Sequence, residues 1–135
     1  MIQLYALSVF ANILTGLLVA SEAGEGTGFF GQLRKLFEEN NLKFSLGVAS
    51  LVIAVFKLLG PIEGDVPIIG DLVPVLAGLA TGAILLFDFF RASSSIKSTT
   101  VERLEGMVVD YRKAVGMAAA AAGALHFIVP TVPLL

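Results

Sequence analysis

Few side chains in this sequence have the types and spacing that catalysis or metal binding requires. His126 is the single histidine and cysteine is absent, which excludes disulfides, thiolate nucleophiles and zinc sites built on His or Cys ligands. The sequence patterns of zinc proteases, serine hydrolases, phosphate-binding loops and dinucleotide-binding folds do not occur. We therefore expect no catalytic residue, no cofactor site and no metal site, and we predict that the protein is not an enzyme.

One acidic segment keeps an alternative open. Glu63, Asp65 and Asp71 lie in PIEGDVPIIGD, and their carboxylates could ligate a hard cation through oxygen. The Gly and Pro residues between them are typical of a tight turn, and the turn is the interpretation that we prefer.

The remaining polar groups of interest lie inside long apolar segments. Thr15, Ser50 and Thr81 can satisfy their hydroxyls on their own helix backbone. Asn12 cannot do so as easily, so we expect it to form a hydrogen bond to another helix. A second interpretation, which we rank lower, is that Asn12, Thr15 and Thr81 face a polar path.

Three ionisable residues lie near the ends of the same segments. Lys57 is expected to reach water or to pair with Glu63, Asp65 or Asp71, and Asp88 has Arg91 three residues later as a partner. His126 precedes Pro130 by four residues, so it should also lie near an end. In the alternative interpretation, Lys57 and His126 stand at the mouth of the polar path.

The elements that must position these residues are long and apolar. Hydrophobic residues make up 56% of the 135-residue chain and charged residues only 15%, with a mean hydropathy of +0.89. Crossing a bilayer takes about 20 mostly apolar residues, and four segments approach that length: Met1–Ala20, Leu42–Gly60, Leu72–Phe90 and about Ala114–Val129. The fourth is long enough only if the preceding helix runs into it. No Lys or Arg precedes Arg34, so we interpret the first segment as a span rather than a signal peptide.

The basic residues predict an orientation. Eight of the nine Lys and Arg residues lie in the segments 21–43 and 91–113, whereas the segment 61–71 and the residues after Pro130 have none. Because basic residues in short loops favour the cytoplasmic side, we predict a multi-pass protein of the cytoplasmic (inner) membrane with both termini outside.

Both predicted inner segments contain amphipathic helices. Apolar residues of the first share one face, namely Phe29, Phe30, Leu33, Leu36 and Phe37. In the second, Thr99 and Glu102 fit a capping box with Thr99 as the N-cap. An apolar face then continues from Val101 into the fourth span, which predicts one helix of about 30 residues that projects from the membrane.

The two halves of the chain resemble each other. The first and third spans align at a shift of 66 residues, which superposes Thr15 on Thr81, and the second and fourth align at a shift of 69, which superposes Lys57 on His126. We predict two tandem hairpins, at about 1–69 and about 72–135, in a single transmembrane domain. Each hairpin begins outside, so the repeats are parallel.

Small residues indicate how the spans pack, because helices in lipid associate through close backbone contact. The expected packing residues are Gly16, Gly47, Gly78, Gly82, Gly116, Ala120 and Gly123. They fit packing within the bundle better than a subunit interface, which remains the alternative.

The fold class that follows is an all-α membrane protein with four transmembrane helices and amphipathic cytoplasmic extensions. The function that we expect is a non-catalytic subunit or scaffold that packs with itself, as a homo-oligomer, or with other membrane proteins in the lipid bilayer. The alternative is a small oligomeric transporter or channel. A net charge of −2 argues against a nucleic-acid partner.

Overall fold

The computed structural model describes residues 2–24, 27–59 and 72–129. These residues form five helices, and no strand occurs among them. The helices are α1 (Ile2–Ser21), α2 (Gly28–Leu36), α3 (Asn40–Leu59), α4 (Leu72–Ser93) and α5 (Thr99–Ile128). The predicted all-α class is therefore confirmed for the described part of the chain.

Three of the helices are long and apolar enough to cross a membrane, namely α1, α3 and α4. They coincide with the first three predicted spans to within three residues at the described ends. The residues of the predicted fourth span form the second half of α5, and α5 is the continuous helix of 30 residues that the sequence predicted. The first half of α5 carries most of its charged side chains.

The four long helices pack as a bundle with α1 and α4 at its centre. α1 packs mainly along α5, and α3 packs mainly along α4, while α1 and α4 also contact each other. α3 and α5 therefore lie on opposite sides of the central pair. α3 and α4, which follow each other in sequence, are close neighbours in space, whereas α1 has its main partner in α5 at the other end of the chain.

Glycine allows the closest of these helix contacts. A Cβ atom added to Gly16 would lie 2.5 Å from the backbone nitrogen of Ala120 and 2.6 Å from the carbonyl oxygen of Gly116. On the other side of the bundle, a Cβ at Gly82 would lie 2.9 Å from the carbonyl oxygen of Gly47. The backbones of α1 and α5, and those of α4 and α3, therefore touch without intervening side chains.

Large apolar side chains are concentrated in one layer of the bundle. Leu18, Val19, Ile84 and Leu85 form this layer, which we call the apolar plug, and all four are buried. Phe37, Leu46, Val108 and Val115 pack around it. Because most other buried residues are small or polar, dispersion and apolar burial in the core come chiefly from this layer.

The start of α5 differs from the prediction by one residue. The N-cap is Ser98, whose hydroxyl oxygen accepts a hydrogen bond from the backbone nitrogen of Val101 at 3.2 Å. Thr99 is the first helical residue instead. A serine and a threonine side by side can each cap a helix, and the backbone of Ser98, at φ −143° and ψ 153°, has the extended conformation that a cap requires.

Replacing Gly16 with alanine should destabilise the bundle, because the added Cβ meets backbone atoms that cannot move aside. We expect a loss of about 1–3 kcal/mol in the free energy of unfolding, measured by denaturation in detergent.

Gly106→Ala is the matched control, since nothing lies within 4 Å of a Cβ added to Gly106 in α5. Because alanine has a higher helix propensity than glycine, the Gly106→Ala variant should be as stable as the wild type or more stable by up to about 1 kcal/mol. Equal destabilisation of both variants would contradict the packing of α1 on α5.

Candidate functional site

The central helix α1 carries polar residues along one face. Tyr5, Ser8, Asn12 and Thr15 follow one another at spacings of three and four residues, which places them on the same side of the helix. Ser8, Asn12 and Thr15 are each no more than 3% exposed. This face is therefore turned into the bundle rather than towards its surroundings.

Asn12 and Thr15 of this face are bonded to α4, and a serine of α3 is bonded to α4 as well. The Oγ1 atoms of Thr15 and Thr81 lie 2.9 Å apart, and each hydroxyl is also within hydrogen-bond distance of the carbonyl one turn earlier in its own helix. The Asn12 amide donates to the Pro74 carbonyl at 2.9 Å. The Ser50 hydroxyl of α3 donates to the Gly78 carbonyl at 3.0 Å.

At the end of the bundle where α1 begins, two basic side chains meet. The Nζ atom of Lys57 lies 3.1 Å from the Nε2 atom of His126, and the two residues are only 5% and 2% exposed. The Tyr5 hydroxyl donates to the His126 backbone carbonyl at 2.6 Å, and the Tyr5 and His126 rings lie 4.7 Å apart. We call Tyr5, Lys57 and His126 the histidine end.

The position of Lys57 differs from the expectation that it reaches water. Its ammonium group is directed inward, with Nζ 5.9 Å from the centre of the Tyr5 ring. The reason is that residues 54 and 57 share the buried face of α3, so the side chain extends along the interior. Glu63, Asp65 and Asp71, the acidic partners expected from the sequence, lie outside the described residues, and so does the predicted turn.

The opposite end of the bundle contains two ion pairs whose side chains are mostly buried. Glu22 and Lys43 are joined at 2.7 Å, and Asp88 accepts hydrogen bonds from both terminal nitrogens of Arg112, one of them at 2.9 Å. We call these four residues the ion-pair end. Both partners of each pair have side chains no more than 20% exposed.

Asp88 does not use the partner that the sequence indicated. Arg91 bonds to Glu105 of α5 instead. Arg112 of α5 reaches Asp88 of α4 and donates to both carboxylate oxygens, a bidentate geometry that is stronger than a single hydrogen bond.

A cavity of about 430 Å³ opens at the ion-pair end. Three basic and three acidic side chains line it, together with Asn40 and a set of small and apolar residues. The charged lining residues are Glu22, Lys43, Asp88, Arg91, Glu105 and Arg112. The apolar plug lies one turn from this cavity along α1 and α4, between Thr15 and Glu22 on α1 and between Thr81 and Asp88 on α4.

Residues that the sequence alignment makes equivalent, at shifts of 66 and 69 residues, lie in contact with each other or form equivalent contacts. Thr15 and Thr81 are 66 residues apart, and Lys57 and His126 are 69 residues apart, yet each pair is in direct contact. The same shifts superpose Glu22 on Asp88 and Lys43 on Arg112, so they also carry one ion pair onto the other.

Sequence reasoning missed both ion pairs and the role of Tyr5. The signal was present, because the shift that aligns Thr15 with Thr81 also aligns an acid with an acid at Glu22 and Asp88. The alignment makes Glu22 and Asp88 equivalent, but it does not show which basic residue each of them binds.

The expected packing residues all lie at helix contacts. Gly16 lies against Gly116 and Ala120, and Gly47 lies against Gly82. A Cβ atom at Gly78 would lie 3.2 Å from the Asn12 side chain, and one at Gly123 would lie 2.9 Å from Ile13. These small-residue faces are consequently occupied by contacts within the chain.

The chain belongs to a protein family of unknown function, whose model matches residues 1–126. It is also similar to an uncharacterized protein of Treponema pallidum (strain Nichols), with 37% identity over 87 residues. That match covers 63% of this chain and 64% of the relative, so the chain spans less than two thirds of the relative's length. No solved structure matches the chain.

Replacing Asp88 with asparagine should destabilise the fold, because it leaves Arg112, which is 8% exposed, without its compensating charge. We expect a loss of roughly 3 kcal/mol in the free energy of unfolding in detergent.

Asp110→Asn removes an exposed carboxylate from α5 and serves as the control, with an expected change below about 0.5 kcal/mol. If the two variants unfold at the same denaturant concentration, the ion pair contributes nothing to stability.

Proposed function

We propose that this protein is a small non-catalytic integral membrane protein that forms a path for protons or small polar solutes. Three spans are α1, α3 and α4, and the second half of α5 serves as the fourth. The chain then consists of two tandem parallel hairpins, at about 1–69 and 72–135, related by an axis along the membrane normal. The contacts at separations of 66 and 69 residues support this repeat, since equivalent residues meet at such an axis.

The observation that carries this proposal is a buried column of polar side chains. Its members are the two basic residues of the histidine end and five buried residues with hydroxyl or amide groups. We call these seven residues the polar column: Lys57, His126, Ser8, Asn12, Ser50, Thr15 and Thr81. Ionisable groups inside membrane-spanning segments are costly, and their usual purpose is an ion or proton pathway. Hydroxyl and amide groups then provide the donors and acceptors along it.

In the proposed path this conformation is the closed one. Thr15 and Thr81 bond to each other directly, and the apolar plug separates them from the cavity at the ion-pair end. Apolar constrictions of this kind close pathways because water is unstable in them. Conduction therefore requires the plug residues of α1 and α4 to move apart.

The test is proton flux into liposomes that contain the purified protein and a pH-sensitive dye. Leu85→Ser places a hydroxyl in the plug and should raise the flux about tenfold, which corresponds to a barrier lower by about 1.4 kcal/mol. Asn12→Leu interrupts the polar column and should reduce the flux.

Leu76→Ser is the control for the plug variant, because Leu76 lies on the outer face of α4 and is 55% exposed. It should leave the flux unchanged. If neither the wild type nor Leu85→Ser gives a proton flux above that of empty liposomes, although both retain their helicity, the proposed path is refuted.

We further propose that the protein lies in the cytoplasmic membrane with its basic segments inside. The absence of cysteine makes this directly testable, since single cysteines can be introduced without background labelling. Glu63→Cys should react with an impermeant maleimide in intact cells, whereas Lys97→Cys should react only in inverted vesicles. The reverse labelling pattern would overturn the orientation.

A scaffold or subunit role is the second candidate, and the exposed part of α5 favours it. Leu104, Met107 and Tyr111 share one face of its first half and are 45–63% exposed. Apolar side chains on a projecting helix suit a partner protein or a second copy of the chain. Crosslinking at Tyr111 in native membranes should give a defined complex. The scaffold role is distinguished from the path if Met107→Glu loses that complex while its proton flux in liposomes stays unchanged.

A further inference from the structure

An exposed, uncharged stripe runs along the whole of α5, beside the face that packs on the bundle. It starts at Thr100 and continues at alternating steps of four and three residues, through Leu104 and Met107, to Ile128. All nine of its positions are exposed and none is charged. We call it the heptad stripe, because a repeat of seven residues over this length is the pattern of a helix that packs along another helix.

The heptad stripe stays uncharged even in the charged part of the helix. Six of the fifteen residues at positions 99–113 carry a charge, yet the stripe positions in that range are Thr100, Leu104, Met107 and Tyr111. The last three of these side chains are 45%, 59% and 63% exposed. A helix face that water covers is normally polar or charged, so this part of the stripe requires a partner.

In the second half of α5 the heptad stripe consists mainly of small residues. Its positions there are Ala114, Ala118 and Ala121, followed by Leu125 and Ile128. The exposed residues of α3, in contrast, are mainly Val, Leu and Phe. Because small side chains let two helices in lipid approach closely, the alanines suit a second helix better than they suit acyl chains.

The position of the heptad stripe limits what can cover it. Gly16 of α1 lies against Gly116 of α5, and Ile13 lies against Gly123, so the two helices are antiparallel. Since α1 ends at Ser21, the first half of α5 extends beyond it. If α1 spans a bilayer, lipid reaches only the second half of the stripe and a soluble protein reaches only the first. One partner covers both halves if it crosses the membrane and projects from it at the same depth, as a second copy of this chain does.

We propose that the heptad stripe binds the heptad stripe of a second copy of the chain, so that the protein forms a dimer with two parallel α5 helices. Two copies in one membrane have the same orientation, and a twofold axis along the membrane normal relates them. Each stripe residue then faces the same residue of the second copy. The inference rests on the proposed membrane placement, and it names the partner for the proposed scaffold role.

Single-cysteine crosslinking tests this dimer, because the chain has no cysteine of its own. Leu104→Cys, Met107→Cys and Ala118→Cys should each form a disulfide-linked dimer when membranes are treated with a mild oxidant. Gly106→Cys and Lys113→Cys are the matched controls, since both positions are exposed on another side of α5. They should give about tenfold less dimer, because a disulfide requires Cα atoms within about 7 Å of each other.

A charge in the stripe provides a second measurement. Met107→Glu, added to Ala118→Cys, would bring two carboxylates together at the axis and should reduce the crosslinked dimer about tenfold. Gly106→Glu in the same background adds the same charge outside the stripe and should leave the dimer unchanged. The helicity of each variant shows that it is folded.

Equal crosslinking at stripe and control positions, or no dimer with Met107→Cys and Ala118→Cys, would overturn the proposal. A crosslink to a different protein in place of the dimer would also overturn it. Maleimide labelling of Glu63→Cys and Lys97→Cys tests the membrane placement separately, so its failure is distinguishable from failure of the dimer. No proton flux is measured here, so the proposed path can fail independently.

Discussion

A polar side chain in an apolar bundle must find its hydrogen-bond partner on another helix, and this requirement governs the arrangement of the chain. Asn12 bonds to a carbonyl of α4, Ser50 bonds to another, and Thr15 bonds to Thr81. Each bond restricts the rotation of one helix relative to its neighbour, because turning the helix about its axis would carry a buried donor out of reach of its acceptor. The polar groups thereby define the register of the bundle.

Close backbone packing makes these short-range bonds possible. Gly16 and Gly116 bring α1 against α5, while Gly47 and Gly82 bring α3 against α4. With larger residues at these positions the helices would be held apart, and side chains as short as Ser50 would not reach a neighbouring carbonyl. The glycines and the polar residues therefore act together, one group setting the distance and the other setting the rotation.

The bundle divides along its length into regions with different chemistry. Basic and aromatic groups occupy the histidine end, small polar groups the middle, large apolar groups the plug, and ion pairs the opposite end. The proposed path depends on this order, because it requires both the polar column and the plug.

The sequence by itself determined the helical class, the three long apolar helices and the extent of α5, because these follow from local hydrophobicity and chain length. It also identified the small residues at the helix contacts. Only the tertiary structure decided that Lys57 turns inward to His126, that Asp88 bonds to Arg112, and that Arg91 bonds to Glu105. These contacts depend on which helices become neighbours and how the helices are rotated. The sequence pattern gives no spatial distance between Asp88 and Arg112, 24 residues apart, or between Lys57 and His126, 69 residues apart.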